Sequence, residues 1–134
     1  MYKVSKIINN NGWKYKENDE IILDYQDRNR RRIKLTSKRN VSFLLDEKKT
    51  VFLKNGALLI LSNSYKIKVI AKIENVLKIE ACSNIKLSVL AWHIGNRHIL
   101  AEIHNDFIII KRDEVIGKML KLLGAKVYKK KLSF

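Results

Sequence analysis

The residues best suited to chemistry lie in the segment Leu90–His98, which contains two of the three histidines of the chain. These two histidines, His93 and His98, stand on either side of a Gly-Asn-Arg turn. Histidine is the commonest side-chain metal ligand, and it is the only side chain whose unperturbed pKa lies near neutrality. The segment therefore predicts metal binding or proton transfer.

Two other side chains could add to such chemistry. His104 stands at the end of a predicted strand, where a solvated turn histidine and a weak auxiliary ligand are both open interpretations. Cys82, the single cysteine, is expected to be a small buried hydrophobe at a strand-to-helix junction. A lone cysteine allows no intrachain disulfide, which favours a reducing compartment and a cytoplasmic protein. The sequence has no nucleophile elbow, phosphate loop, HExxH or paired-carboxylate motif, so we expect no enzyme.

The formal net charge is +15 over 134 residues, an excess that attracts nucleic acids, acidic membranes or acidic proteins. Arginines cluster between Arg28 and Arg32. No apolar stretch of about 18 residues exists, so no membrane span is predicted. A basic nucleic-acid-binding module is the alternative function, although Phe107 and Tyr128 are too few to form base-stacking strands.

The first half of the sequence favours strands. Asn55-Gly56 is typical of a hairpin turn, because both residues tolerate positive φ. Short strands at this spacing predict a small all-β domain. The predicted strands are Glu20 to Tyr25, Arg32 to Thr36, Val41 to Leu45, Thr50 to Leu53, Ala57 to Leu61 and Tyr65 to Ala71.

The second half alternates strands with two helices. Ser83 or Asn84 is a candidate cap for a first helix that ends near Ile94, before Gly95-Asn96. This helix is apolar on much of its surface, so one side should pack on a sheet and the other could pack on a second subunit. A second helix should begin after Asp113 and close at Gly124.

These elements have the order βαββαβ of a ferredoxin-like unit. The predicted fold class is α+β, with a small all-β N-terminal domain followed by a ferredoxin-like C-terminal domain. We place the boundary at residues 73–76, which gives a domain of residues 1–74 and a domain of residues 75–134. The strands of the second domain are predicted at Val76 to Ala81, Ile99 to Ile103, Phe107 to Ile110 and Lys126 to Tyr128.

The run from Trp92 to His98 resembles the W/Y-H-L-G-N-R-H signature of the UreE urease accessory family. The pattern D-x-V-x-x-x-M-L-x-x-L-G-A-x-V from Asp113 to Val127 resembles the second helix of that family and the strand after it. Val69 to Ile79 resembles its domain junction, and Arg32 to Leu45 resembles two of its N-terminal strands. The Gly-Asn-Arg-His run is the specific part of the resemblance.

The resemblance implies a homodimeric metallochaperone that carries Ni²⁺ to urease apoprotein with an accessory GTPase. It implies that His98 of both protomers faces one ion near the two-fold axis. His93 and His104 are possible auxiliary ligands, and imidazole would also suit Zn²⁺ or Cu²⁺. The N-terminal domain would dock partners, and the C-terminal domain would dimerise. Some family members have histidines where this chain has Arg112 and Glu114, so we expect that auxiliary site to be lost.

Overall fold

The computed structural model describes residues 1–134 and divides the chain into two compact units, Met1–Lys72 and Ile73–Phe134. The first unit contains only strands. The second contains strands and two short helices. The α+β class predicted from the sequence is therefore confirmed. Neither helix is long and apolar enough to cross a membrane.

The first unit is a six-stranded curled sheet with the strand order β2-β6-β5-β1-β4-β3. Its strands alternate core-facing and outward-facing residues, as in β6, where Ile67 and Val69 are buried between half-exposed neighbours. The aliphatic core also includes Phe43, Leu45 and Leu59. The strands are β1 (Tyr2–Ile8), β2 (Asp19–Leu23), β3 (Asn29–Thr36), β4 (Ser42–Phe52), β5 (Leu58–Leu61) and β6 (Lys66–Ala71).

Three features of this unit differ from the sequence prediction. The N-terminal strand β1 was not predicted, and it lies between β5 and β4, pairing antiparallel with the first and parallel with the second. Asn55-Gly56 therefore forms a turn, with Gly56 at φ +85°, but it joins two strands that are not neighbours. The two strands predicted within residues 41–53 are one continuous strand, β4.

The second unit has the order β7 (Ile73–Glu80), α1 (Leu87–Asn96), β8 (Ala101–Ile103), β9 (Phe107–Lys111), α2 (Glu114–Leu122) and β10 (Lys126–Ser133). Its sheet has the order β10-β7-β9-β8, in which the two βαβ halves interleave. This is the ferredoxin-like arrangement predicted from the sequence. One face of the sheet, with Leu77, Ile79 and Ile108, packs against both helices.

The start of α1 differs from the sequence prediction, whereas the ends of α2 agree with it. Lys86 occupies the N-cap position of α1 and makes no side-chain cap bond, so neither Ser83 nor Asn84 caps this helix. Asp113 caps α2 by accepting a hydrogen bond from the Ile116 N–H at 3.0 Å. Gly124 follows α2 at φ +104°, the left-handed conformation that glycine adopts without strain.

Candidate metal site

Helix α1 fixes the position of the histidine segment by burying one face. Leu90 and Ile94, four residues apart, are almost fully buried in the core of the second unit. Residues with this spacing share one helix face, so the sheet holds the last turn of α1 in place. His93 lies in that turn and is half-buried, and its ring meets the ring of Trp92 edge-on at 5.0 Å.

The helix ends at Asn96, within the predicted Gly95-Asn96 stop and two residues beyond the predicted end near Ile94. The turn comes at His98, which has φ +56°, and the His98 N–H donates to the Gly95 carbonyl at 3.0 Å. A left-handed histidine is uncommon but is tolerated better than most residues. The backbone thus reverses at His98 itself, and the imidazole is exposed immediately after the helix.

Arg97 stabilises this turn from the side. Its Nη1 donates to the His93 carbonyl at 3.0 Å, which satisfies one of the free carbonyls at the C-terminal end of α1. Asp113 and Glu114, two carboxylates of the same unit, do not pair with Arg97. Asp113 caps α2, and Glu114 lies 3.4 Å from Lys129 Nζ.

An exposed apolar strip runs along α1 towards His98. Trp92 has 63% of its surface exposed and Val89 has 42%, and the three-residue spacing places them on one face of the helix. Leu100, just after the turn, is also exposed. The sequence predicts that α1 is apolar on a side that does not pack on the sheet. That side is present, and no other residue of the chain covers it.

His104 does not stand alone at the β8–β9 turn. Its Nε2 makes a short contact with Glu102 Oε1, and its ring stacks on Phe107 with the centroids 4.3 Å apart. The sequence did not lead us to expect Glu102 as the partner of His104. The signal was available, because residues two apart on a strand point to the same face.

A single chain does not gather these side chains into a metal centre, since no three His, Cys, Asp or Glu side chains lie together in ligating positions. Cys82 is half-buried beside the isolated bridge to Ile85 and remains a free thiol. His98 therefore offers one exposed imidazole per chain, and a closed site needs ligands from outside that chain.

The first unit contains a buried polar centre at Asp19. This carboxylate borders an open cleft of about 470 Å³, which Lys38 and Arg39 also line. Burial opposes ionisation of Asp19, but hydrogen bonds from Ser37, from the Glu20 N–H and from Tyr65 outweigh it and lower the pKa below its usual value. Burial and the bond to Asp19 raise the Tyr65 pKa. The fully satisfied carboxylate has a structural role.

A β-rich unit, a ferredoxin-like unit and an exposed histidine after the first helix of that unit define a class of two-unit α+β proteins. Comparison with known families identifies the class. Residues 4–72 match the model of the UreE urease accessory protein N-terminal domain, and residues 74–134 match that of the C-terminal domain. The chain belongs to the UreE family.

Individual relatives carry the name urease accessory protein UreE. The protein of Bradyrhizobium sp. (strain ORS 278) is 39% identical over 127 residues, 95% of this chain and 60% of the relative. That of Rhodopseudomonas palustris (strain HaA2) is 39% identical over 94% of this chain and 59% of the relative. That of Chelativorans sp. (strain BNC1) is 42% identical over 81% and 69%. The chain spans about three fifths of the length of the first two relatives.

Proposed function

We propose that this protein is a urease accessory metallochaperone that binds Ni²⁺ and delivers it during assembly of the urease active site. The observation that carries the proposal is the exposed His98 at the end of α1, in a chain that belongs to the UreE family. The protein acts as a carrier and not as an enzyme. Its place of action is the cytoplasm, and Ni²⁺ is its cargo, with Zn²⁺ and Cu²⁺ as competitors.

The cargo site is completed by a homodimer. A two-fold axis brings the same residue in twice, so His98 of both protomers can face one ion. The exposed strip of Val89 and Trp92 supports this arrangement, because it lies on the same helix that ends at His98 and would be covered by the second protomer. Two imidazoles completed by water form a labile site, which suits an ion that must be released.

The other two histidines have different roles in this proposal. His93 supports the turn, because its carbonyl accepts the Arg97 bond. It remains a possible auxiliary ligand through its half-buried ring. His104 can add an auxiliary ligand through Nδ1, because its Nε2 contacts Glu102. The residues 1–74 form the docking domain for urease apoprotein and the accessory GTPase, and residues 75–134 form the metal-binding and dimerisation domain.

Delivery is tested by supplying nickel to urease apoprotein and the accessory GTPase only as the loaded protein, with a chelator present to remove free ion. The unaltered protein should restore urease activity, and His98→Ala should not. His104→Ala is the matched control, because it removes an exposed imidazole from the same unit and should retain most of the delivery. Equal delivery by the unaltered protein and His98→Ala would contradict the proposal.

A further inference from the structure

The net positive charge of the second unit lies in residues 111–131, from the end of β9 through α2 and most of β10. Residues 111–131 contain eight lysines and arginines and two carboxylates, a net charge of +6. The rest of the unit, residues 73–110 and 132–134, contains three basic and four acidic residues, a net charge of −1. The half that bears α1 and His98 is thus close to neutral, whereas the half that bears α2 and β10 is strongly basic.

Helix α2 presents two aliphatic side chains to solvent within this basic region. Leu122 is 89% exposed and Val115 is 76% exposed. They lie seven residues apart, so they share one face of the helix, and Lys118 lies between them on that face. We call Val115, Lys118, Lys121 and Leu122 the α2 surface.

The opposite face of α2 is anchored, which fixes the direction of the α2 surface. Leu120 is fully buried in the core. At Gly117 the helix approaches the sheet so closely that a Cβ would lie 3.2 Å from Leu77 Cδ1. Lys129 of β10 pairs with Leu77, so it lies on the face of the sheet that packs against α2. The α2 surface therefore faces solvent, with Lys118 between the two aliphatic side chains and Lys121 next to Leu122.

Few carboxylates offset these lysines. Asp113 is engaged as the N-cap of α2, and Glu114 pairs with Lys129 at 3.4 Å. No ion pair within the chain involves Lys118 or Lys121, because the six ion pairs of the structure lie elsewhere. Their charges are available to a partner.

We infer that the α2 surface is a docking site for an acidic protein surface that also carries aliphatic side chains, on a protein of the urease maturation machinery. The lysines would steer the approach, and Val115 and Leu122 would be buried on contact. A second copy of this chain is the wrong occupant, because it would place Lys118 and Lys121 against like charges. A nucleic acid does not account for the two exposed aliphatic side chains, because proteins bind single strands with cationic and aromatic side chains.

This inference rests on the proposed function for the choice of partner, so the test measures docking and nickel binding separately. The probe is purified urease apoprotein together with the accessory GTPase, immobilised for an optical binding assay. Val115→Gln combined with Leu122→Gln removes the apolar contact and keeps good helix formers. Lys118→Glu combined with Lys121→Glu reverses the charge. Each pair of substitutions should raise the dissociation constant about tenfold or more, which is the effect expected when energetically important interface residues are replaced.

The control is Lys126→Glu combined with Lys130→Glu, which changes the net charge equally on two exposed residues of β10 that lie on the sheet face away from α2. It should leave the affinity within about twofold, in keeping with the small effect of isolated surface changes. None of these variants alters His98, so nickel binding should be unchanged in all of them. If the unaltered protein does not bind nickel, the proposed function is refuted. The binding assay with the immobilised probe still tests the docking inference in that case.

Three results would overturn the inference. The first is unchanged affinity in both α2 pairs, or no binding of the probe by the unaltered protein. The second is an equal loss in the Lys126/Lys130 control, which would indicate an effect of net charge alone. The third requires that the protein bind a single-stranded oligonucleotide. If Lys118→Glu with Lys121→Glu abolishes that binding, and Val115→Gln with Leu122→Gln leaves the binding of both probes unchanged, the surface would be assigned to nucleic acid.

Discussion

Replacing Asp19 with asparagine should destabilise the first unit and change its dependence on pH. The Asp19 side chain is 4% exposed and accepts four hydrogen bonds. Oδ1 accepts from the N–H groups of Glu20 at 2.7 Å and Arg39 at 3.3 Å. Oδ2 accepts from the hydroxyls of Ser37 and Tyr65. These bonds hold together the start of β2, the β3–β4 loop and the start of β6.

Asparagine keeps one acceptor oxygen for the two N–H groups but presents an NH₂ group to the two hydroxyls. The Ser37 hydroxyl already accepts from the Val41 N–H, so it loses the partner to which it donates. Hydrogen bonds to a charged group contribute about 1.5–3 kcal/mol each, against about 1 kcal/mol for neutral pairs. Because the hydroxyls can rotate and the two N–H bonds survive, we expect Asp19→Asn to cost about 2–3 kcal/mol at pH 7.

The sign of the pH effect follows from the lowered pKa of Asp19. A carboxyl whose pKa is lower in the folded state than its usual 3.8 stabilises the fold above that usual value. The stabilisation is lost as the pH falls through the folded-state pKa. The difference in unfolding free energy between the unaltered protein and Asp19→Asn should therefore shrink between pH 7 and about pH 3.

The assay is urea unfolding followed by Trp13 fluorescence in a Trp92→Phe background, so that only the first unit is observed. The Trp13 indole N–H donates to the Gly56 carbonyl at 2.8 Å, which ties the probe to that unit. The control is Glu20→Gln, which breaks only the exposed 3.7 Å ion pair with Lys38 and should cost under about 1 kcal/mol. Equal losses in the two variants, or a loss from Asp19→Asn that is the same at both pH values, would refute the reasoning.

Three further predictions concern the second unit, and urea unfolding followed by Trp92 fluorescence in a Trp13→Phe background measures them. His98→Gly should preserve the unfolding free energy or raise it by up to about 1 kcal/mol, because glycine adopts φ +56° without strain. His98→Val should lower it by about 1–2 kcal/mol. A valine variant more stable than the glycine variant would show that the turn is not strained. Asp113→Ala should cost about 1 kcal/mol through loss of the cap bond to Ile116, and no loss would mean that solvent replaces it. Gly124→Ala should cost about 1–2 kcal/mol at φ +104°, and a neutral result would mean that the backbone relaxes there.

The second unit is closer to the sequence prediction because its signals are local. The apolar run of β9, the Asp113 cap and the Gly124 stop each act within a few residues of the chain. In the first unit, β1 pairs with strands about forty to sixty residues away in sequence. A turn signal such as Asn55-Gly56 can fix a reversal of the chain, but it cannot show that a distant strand separates the two flanking strands.

The candidate site was predictable in its residues and not in its backbone. The sequence singles out His98, yet it places the end of the helix near Ile94, before Gly95-Asn96. The structure extends the helix because Leu90 and Ile94 fix its last turns to the sheet and Arg97 binds the His93 carbonyl. Tertiary packing thus overrides the local preference of glycine, and the positive φ moves three residues on to His98.

The central claim is that two copies of His98 share one nickel ion, and the most direct test is calorimetric titration of Ni²⁺ with the mass measured by light scattering. The account predicts about one ion per two chains in a dimer, and loss of that binding in His98→Ala while the dimer persists. Binding of about one ion per chain, or the same affinity in His98→Ala as in the unaltered protein, would contradict the account.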